Sequence, residues 1–269
     1  MEINKSNIFE IVSKANLRPD KDYGQNFLIE PEISKRIVDS LEATKGDKVI
    51  EIGPGLGSLT HYLALCDCTV TAVDIDKRMT DFLKVLYQNS NVCVVENDIR
   101  KIDVSNFTKV IGNLPYNITT ETIQYFLLNS MAASKMVFMI QNETLAHFID
   151  VEGKEYGPTS VLIHLLGSIK KLFAVKAGSF YPAPKCSSVV FSIDIDPSKD
   201  RKKAINAFKI SKSLFLNRRK TIVNNLTSYL NNKDFANKLC SDLSINPLSR
   251  PEQLSPEIYL AISEYLCNK

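Results

Sequence analysis

The chain has 269 residues, of which 44% are hydrophobic and 23% are charged, and its formal net charge is +3. This composition predicts a folded protein with a substantial core, built as one large domain or as a large and a small domain, and excludes a disordered chain. No apolar run approaches the length that spans a bilayer, and the first twenty residues lack the pattern of a secretory signal, so we expect a cytoplasmic protein with no membrane partner.

Short runs rich in Val and Ile alternate with helical patterns in the first half of the chain. The five runs are 48–53, 69–74, 91–98, 108–113 and 135–141. Near-continuous hydrophobicity over about five residues is typical of strands that are covered on both faces. Apolar residues recur at spacings of three and four in the intervening segments LGSLTHYLALC, DKRMTDFLKVLYQ and TTETIQYFLLNS. The alternation predicts an α/β fold, with a parallel Rossmann-like sheet and helices on both faces.

The last part of the chain follows a different pattern. Two more extended runs, 168–176 and 187–195, are predicted to be late strands joined by the loop AGSFYPAPKC. After Asp196 the patterns are helical only, which predicts a small all-helical C-terminal domain. We place the boundary near DIDPSKD, with one domain over residues 1–195 and the other over 196–269.

Charge is distributed unevenly between these two parts. The net charge is about −3 over residues 1–195 and about +6 over 196–269. Residues 201–225 contain eight basic side chains and no acidic one. A solvated helix face usually carries both signs, so this stretch indicates a polyanionic partner.

Six cysteines occur along the chain without any Cys-x-x-Cys pair, at positions 66, 68, 93, 186, 240 and 267. Their spacing indicates neither a zinc site nor a disulfide framework. We interpret them as small reduced residues of the core and expect no metal.

The segment EIGPGLGSLT follows a predicted strand and opens a predicted helix. Gly53, Gly55 and Gly57 let its backbone turn sharply and approach a ligand, as in a nucleotide-binding loop. Asp74 ends the next strand, where a carboxylate accepts hydrogen bonds from both hydroxyls of a ribose. Asp98 ends the strand after that, placed to accept from an adenine amino group or to cap a helix. Ligands of open α/β sheets bind at the carboxyl ends of strands, so we predict a nucleoside-containing cofactor.

Glu51, two residues before Gly53, helps to identify this cofactor. A carboxylate there would repel a pyrophosphate, whereas S-adenosylmethionine carries a sulfonium and an ammonium and no phosphate. Ser58 stands where a dinucleotide fingerprint has its third glycine, so the loop fits GxGxG better than GxGxxG. We predict S-adenosylmethionine, with Glu51 and Gly55 among its binding residues, and disfavour an NAD dehydrogenase.

The segment GNLPYN closes the fourth predicted strand at the same edge of the sheet. Pro115 restricts the backbone before it, which holds the side chain of Asn113 and the carbonyl of Leu114 in place as two acceptors. Two acceptors that bind the hydrogens of an exocyclic amine direct its lone pair at a methyl group and stabilise the positive charge that develops on nitrogen. Tyr116 would stack on the base. The alternative is a strand that ends in a turn with a buried tyrosine.

Several segments in a fixed order resemble one known family, the ribosomal RNA small-subunit adenine dimethyltransferases (KsgA, also RsmA). The resemblance covers about Asn16 to Tyr265, and it rests on YGQNFL, EIGPGLGSLT, VDID, END, NLPYNI, FYPAPKCSSV, LFLNRRKTIVNNL and RPEQLSPE. It implies the class I fold of S-adenosylmethionine-dependent methyltransferases.

The resemblance also implies how the cofactor is bound. Asn26 and Leu28 of the N-terminal motif would contact it, and Gly53 would lie against its methionine part. Asp74 would hold the ribose and Asp98 the adenine. Asp74 stands where the family usually has Glu; the side chain is one methylene shorter and should still reach the ribose.

For the target, the resemblance implies that Asn113 borders both methyl donor and amine, and that Tyr116 and Phe180 sandwich the adenine. A basic helix containing Arg218, Arg219 and Lys220 would bind RNA phosphates. The family dimethylates N6 of two adjacent adenosines in the 3′-terminal hairpin of 16S rRNA on a late 30S assembly intermediate, with four cofactor molecules. We expect a monomer.

Two departures from the family affect target recognition more than chemistry. Ser187 replaces a common Asp, and QNETLAHF at 141–148 replaces a typical QKEVAxR. Alternatives remain open: a 23S rRNA methyltransferase that confers macrolide resistance, and a protein that acts mainly as an assembly factor. A DNA adenine methyltransferase would more often read DPPY or NPPY and carry a separate recognition domain.

Overall fold

The computed structural model of this chain describes residues 1–14, 17, 19–20, 24–115 and 118–267. The strands are β1 (Phe27–Leu28), β2 (Lys48–Ile52), β3 (Thr69–Asp74), β4 (Val92–Glu96), β5 (Lys109–Asn113), β6 (Lys135–Gln141), β7 (Gly167–Val175), β8 (Phe180–Tyr181) and β9 (Ser188–Ile195). The helices are α1 (Ile8–Lys14), α2 (Pro31–Asp39), α3 (Ser58–Leu63), α4 (Lys77–Tyr87), α5 (Thr119–Asn129), α6 (Ala146–Ile149), α7 (Pro158–Leu166), α8 (Arg201–Leu214), α9 (Ile222–Leu230), α10 (Lys233–Asp242) and α11 (Pro256–Cys267). Short 3₁₀ turns occupy Ile99–Lys101, Asn142–Leu145, Ala177–Ser179, Phe215–Asn217 and Pro251–Gln253.

Seven strands form one sheet in the order β4-β3-β2-β5-β6-β9-β7. The strands β2 to β6 pair in parallel, and β9 runs antiparallel to β6. Every residue between the two ends of β6 is buried, as expected of a strand covered on both faces. All seven predicted strands are present, and the predicted parallel sheet flanked by helices is confirmed for β2 to β6, with β9 added antiparallel.

The order of the strands reverses between β2 and β5. The chain moves outward from β2 through β3 to β4, then returns to the other side of β2 with β5. Such a reversal leaves a crevice at the carboxyl ends of the two strands, and ligands of open α/β sheets bind there. The glycine loop follows β2 and Asn113 ends β5, so the fold brings both to this crevice.

A second, two-stranded sheet joins two distant motifs. The strand β1 pairs antiparallel with β8, with Phe27 opposite Tyr181 and Leu28 opposite Phe180. This pairing brings part of YGQNFL beside the start of the FYPAPK loop, although about 150 residues separate them.

The chain forms two compact units, residues 1–143 with 170–194, and residues 144–169 with 195–269. The predicted boundary near residue 195 therefore differs from the structure over 144–169, which the prediction placed in the N-terminal domain. The physical reason is α7, which is buried from Thr159 to Ile163 and contacts α8 and α11. A helix that is apolar on all sides needs partners around its whole circumference.

The four helices α8 to α11 confirm the helical pattern after Asp196, but the predicted basic helix is interrupted. Helix α8 ends at Leu214, and Arg218 to Lys220 lie in the connection to α9. Phe215 stacks on Tyr259 with ring centroids 5.7 Å apart, which fixes the position where the chain turns. The side-chain amide of Asn225 then donates to the backbone carbonyls of the turn.

The cysteines are all unpaired, but the prediction that they are core residues is only partly right. Cys68 and Cys240 are buried, whereas Cys93 and Cys267 are exposed. Within the described ranges, no group of three or more metal-ligating side chains occurs and no helix has the length and apolar character to cross a membrane.

Candidate active site

A cavity of about 210 Å³ lies at the carboxyl ends of β2 to β5. The N-terminal segment that precedes α2 closes one side of it. Its lining includes Gln25, Asn26, Leu28, Glu51, Gly53, Gly55, Asp74, Ile75, Asp98, Ile99, Arg100, Asn113, Leu114 and Pro115. The structure thus gathers all eight residues predicted to bind the cofactor around one cavity.

The glycine loop binds Asp74 through its backbone. Gly55 has φ near +55°, a left-handed conformation that favours glycine, and its N–H donates to Asp74 Oδ2 at 3.1 Å. Asp74 Oδ1 accepts from the Asp76 N–H at 2.9 Å. The Asp74 side chain is 9% exposed, and burial raises its pKa above the usual range despite these bonds. Each oxygen keeps a further lone pair with which to accept a hydroxyl.

Glu51 is the second-to-last residue of β2, just before the loop, and is 1% exposed. Its Oε2 accepts a hydrogen bond of 2.7 Å from the Thr60 hydroxyl of α3. Burial, reinforced by the charge of Asp74, raises the pKa of Glu51 to about 8. Its carboxyl group is therefore mostly protonated at neutral pH, which differs from the charged carboxylate expected from the sequence.

Asp98 follows β4 and caps the 3₁₀ turn Ile99–Lys101. The same carboxylate can cap this turn and still accept a hydrogen bond from an adenine amine. Its Oδ1 accepts from the backbone N–H and Nε of Arg100, both at 3.0 Å, and its Oδ2 accepts from Arg100 Nη2 at 2.7 Å. The hydrogen bonds and charge of Arg100 lower the pKa of Asp98 to about 2. Asp98 is accordingly ionised throughout the physiological range.

The side chain of Asn113 links the end of β5 to the N-terminal segment by a hydrogen bond. Its Nδ2 donates to the backbone carbonyl of Asn26 at 3.2 Å, and Asn26 Nδ2 donates to the carbonyl of Gly24. No hydrogen bond to Asn113 Oδ1 is formed by the described residues. The amide nitrogen of Asn113 is used for anchoring, so its oxygen stays available as an acceptor.

The other residues predicted at the target site differ in whether they line the cavity. Leu114 lines the cavity, its side chain is buried, and its N–H donates to the carbonyl of Met139. Tyr116 lies outside the described residues. Phe180 is 4% exposed, packs in the same buried cluster as Leu28 and is not among the lining residues. The predicted open stacking face is absent from this conformation because side chains alternate along β8, and Phe180 takes the inner face.

The three basic residues predicted to bind RNA differ in their exposure and contacts. Arg219 and Lys220 are exposed. Arg218 donates through Nη2 to the carbonyl of Gly153 at 3.1 Å, and its Nε lies 3.8 Å from Glu252 Oε2. Arg218 is thus held by its own unit, while its two neighbours extend into solvent.

Sequence reasoning missed the residues that orient the predicted ones. Thr60 binds Glu51, Gln25 donates to Asp76 at 3.0 Å, and Arg100 binds Asp98. Of these contacts, only the pair of Asp98 and Arg100 had a signal in the sequence. An Asp at the start of a helical turn and a basic residue two positions later lie on the same turn.

Comparison with known proteins identifies the family. The family described as ribosomal RNA adenine dimethylase matches residues 16–268. A relative from Malacoplasma penetrans (strain HF-2) is 34% identical over 95% of this chain and 95% of its own length. A relative from Streptococcus thermophilus (strain ATCC BAA-250 / LMG 18311) is 36% identical over 91% of both chains. Both are named ribosomal RNA small subunit methyltransferase A.

Solved structures agree with this at the level of the fold. A dimethyladenosine transferase from Plasmodium falciparum superposes with a TM-score of 0.76 at 22% identity, over 90% of this chain and 98% of the other. The 23S rRNA methyltransferase ErmE superposes with a TM-score of 0.70 at 21% identity, over 90% of this chain and all of the other. Since the family profile covers almost the whole sequence, the chain belongs to the ribosomal RNA adenine dimethylase family and is an S-adenosylmethionine-dependent rRNA adenine dimethyltransferase.

Proposed function

We propose that this protein dimethylates N6 of two adjacent adenosines in the 3′-terminal hairpin of 16S rRNA. It acts as a monomer in the cytoplasm, on a late intermediate of small-subunit assembly. The observation that carries the reaction is the orientation of Asn113, whose amide nitrogen is anchored to Asn26 and whose oxygen remains an acceptor beside the cavity. The small-subunit names of the relatives favour 16S over 23S rRNA.

The residues of the cavity fit S-adenosylmethionine. Glu51 and Asp74 are buried acids with raised pKa values, and a cationic ligand favours their ionised forms, whereas a pyrophosphate would raise their pKa values further. Asp74 would accept the ribose hydroxyls, Asp98 the adenine amine, and the backbone around Gly53 would lie against the methionine part. Asn26 and Leu28 would cover the ligand from the N-terminal segment.

The chemistry follows from the acceptors at the end of β5. Bound S-adenosylmethionine supplies a methyl group on a positively charged sulfur. Asn113 Oδ1 and the Leu114 carbonyl would bind the two hydrogens of the target amine, direct its lone pair and stabilise the positive charge on nitrogen. Tyr116 would stack on the base. The methylated nitrogen loses its proton to water, so the chain need not supply a general base.

RNA binding is proposed for the connection between α8 and α9. Arg219 and Lys220 are exposed and would contact phosphates, which positions the RNA without reading its sequence. Arg218 would contribute more as an anchor, through Gly153 and Glu252, than as a phosphate ligand.

The test is transfer of labelled methyl groups to immature 30S particles from a strain that lacks this gene. Asn113→Ala should lower transfer at least about a hundredfold, the loss typical of a removed transition-state hydrogen bond, while the particles are still bound. Asn106→Ala, an exposed asparagine on the same unit, is the matched control. Thermal unfolding of both variants shows whether they are folded.

Two readouts separate the alternatives. Hydrolysis of the labelled RNA must yield N6,N6-dimethyladenosine, and primer extension must stop at adjacent positions near the 3′ end of 16S rRNA. A stop in 23S rRNA instead would support the resistance methyltransferase. Undiminished transfer by Asn113→Ala would contradict the assignment of the acceptor.

A further inference from the structure

The side chain of Arg100 leaves one position open on the Asp98 carboxylate. A carboxylate has about four acceptor positions on its two oxygens. The backbone N–H and Nε of Arg100 take the two on Oδ1, and Nη2 takes one on Oδ2. The remaining position belongs to Oδ2, and no described residue occupies it.

The guanidinium is itself held from two sides. Its Nη1 lies 3.3 Å from Oε2 of Glu121, in the first turn of α5. Asp98 and Glu121 are on different elements, so the fork of Arg100 has little freedom to rotate away from Asp98. The side chain of Asp98 is 18% exposed and that of Arg100 is 47% exposed, and both line the cavity.

We propose that Arg100 is a positioning residue that selects the base of the cofactor. By fixing the Asp98 carboxylate with a single open acceptor on Oδ2, Arg100 makes the site accept the exocyclic amine of a 6-amino purine and reject the carbonyl of a 6-oxo purine. This inference rests on the proposed role of Asp98.

The reason is that an ionised carboxylate only accepts hydrogen bonds. Arg100 keeps the pKa of Asp98 low, so the group does not gain a proton with which it could donate to a carbonyl oxygen. A 6-oxo purine would place its oxygen against the carboxylate oxygen, and two acceptors facing each other without a donor disfavour binding. Orientation adds to this, because a carboxylate that rotates freely could turn its open position away from the base.

The experiment is calorimetric titration with S-adenosylhomocysteine and its hypoxanthine analogue, S-inosylhomocysteine. In Arg100→Leu the affinity for the adenine ligand should fall about tenfold, as expected for one charge-assisted hydrogen bond, while that for the hypoxanthine ligand changes less than about threefold. Arg100→Lys keeps the charge without the planar guanidinium. Its affinity for the adenine ligand should lie between that of the unsubstituted protein and that of Arg100→Leu. Lys101→Leu removes the same charge from an exposed neighbour and should leave the ratio of the two affinities unchanged.

Unchanged affinities in Arg100→Leu, or tighter binding of the adenine ligand, would overturn the proposal; the second result would mean that Arg100 blocks Asp98. If Arg100→Leu does not fold, the affinity ratio of Arg100→Lys decides. Failure of the proposed function would be distinct, because then the unsubstituted protein itself would not bind S-adenosylhomocysteine or methylate 30S particles.

Discussion

In the cavity, Glu51 and Asp74 are buried and accept hydrogen bonds from neutral donors, whereas Asp98 is paired with the guanidinium of Arg100. All three carboxyl groups lie at or near the carboxyl end of a strand of the same sheet. Their pKa values nevertheless move in opposite directions, upward for Glu51 and Asp74 and downward for Asp98. The difference teaches that surroundings, and not position at a strand end, set the charge of these groups.

The buried acids and Asp98 are therefore expected to have different roles in cofactor binding. The buried acids can respond to a positive ligand by losing a proton, because their neutral forms are favoured without it. Asp98 is already ionised and offers a fixed acceptor. Glu51 and Asp74 would therefore recognise the charge of the cofactor, and Asp98 its base.

The largest expected effect is on the pH dependence of stability. The pKa of Glu51 is raised from 4.5 to about 8 in the folded chain, so the folded state holds a proton that the unfolded state releases. The contribution is full below about pH 4.5 and is lost as pH rises toward 8. Between pH 5 and pH 8, the unfolding free energy should fall more in the unsubstituted protein than in Glu51→Gln, by on the order of 3 kcal/mol.

Urea denaturation of both proteins at the two pH values measures this. Glu121→Gln, which changes an exposed carboxyl, is the control and should keep the pH dependence of the unsubstituted protein. If the unfolding free energy depended on pH equally in the unsubstituted protein and in Glu51→Gln, Glu51 would be ionised in the folded state. The difference in charge between Glu51 and Asp98 would then disappear.

The next effect is on cofactor affinity. Asp74→Asn should weaken binding of S-adenosylhomocysteine roughly a hundredfold, because it removes a charged acceptor for two hydroxyls and places an amide where the Gly55 N–H needs an oxygen. Asp98→Asn should weaken binding about tenfold, since one acceptor is lost. Calorimetric titration measures both constants, and an Asp98→Asn loss as large as that of Asp74→Asn would reverse the ranking.

The smallest effect is the release of protons on binding. At pH 7, S-adenosylmethionine should displace on the order of half a proton, because its positive charge favours ionised Glu51. The negative charge of Asp74 contributes to the raised pKa of Glu51, and the positive charge of the ligand would oppose that contribution. The binding enthalpy should then depend on the ionisation enthalpy of the buffer for the unsubstituted protein and Asp98→Asn, but less for Glu51→Gln. A buffer-independent enthalpy in the unsubstituted protein would contradict this.

Much of the sheet could be predicted because its signal is local. Runs such as 135–141 are apolar at every interior position, and a strand covered on both faces needs little else. The candidate site followed from the same signal, since the ends of parallel strands meet at one edge. Glu51, Gly53, Asp74, Asp98 and Asn113 were predicted on that ground, and all of them line the cavity.

Other features had no local signal. The strands β1 and β8 have two residues each, too few for a periodic pattern, and their pairing depends on contacts across the whole chain. The burial of Phe180 depends on which face of β8 turns inward. The break between α8 and α9 depends on the stacking of Phe215 on Tyr259, and the assignment of α7 to the C-terminal unit on its contacts with α8 and α11.

The sequence by itself determined the strands, the position of the candidate cofactor site at their carboxyl ends, and the family. These depend on the identity of residues close together in the chain, where hydrophobic periodicity and glycine geometry act directly. Only the tertiary structure decided the charges of the three acids, because desolvation of Glu51 and the approach of Arg100 to Asp98 are set by the atoms packed around each carboxyl group.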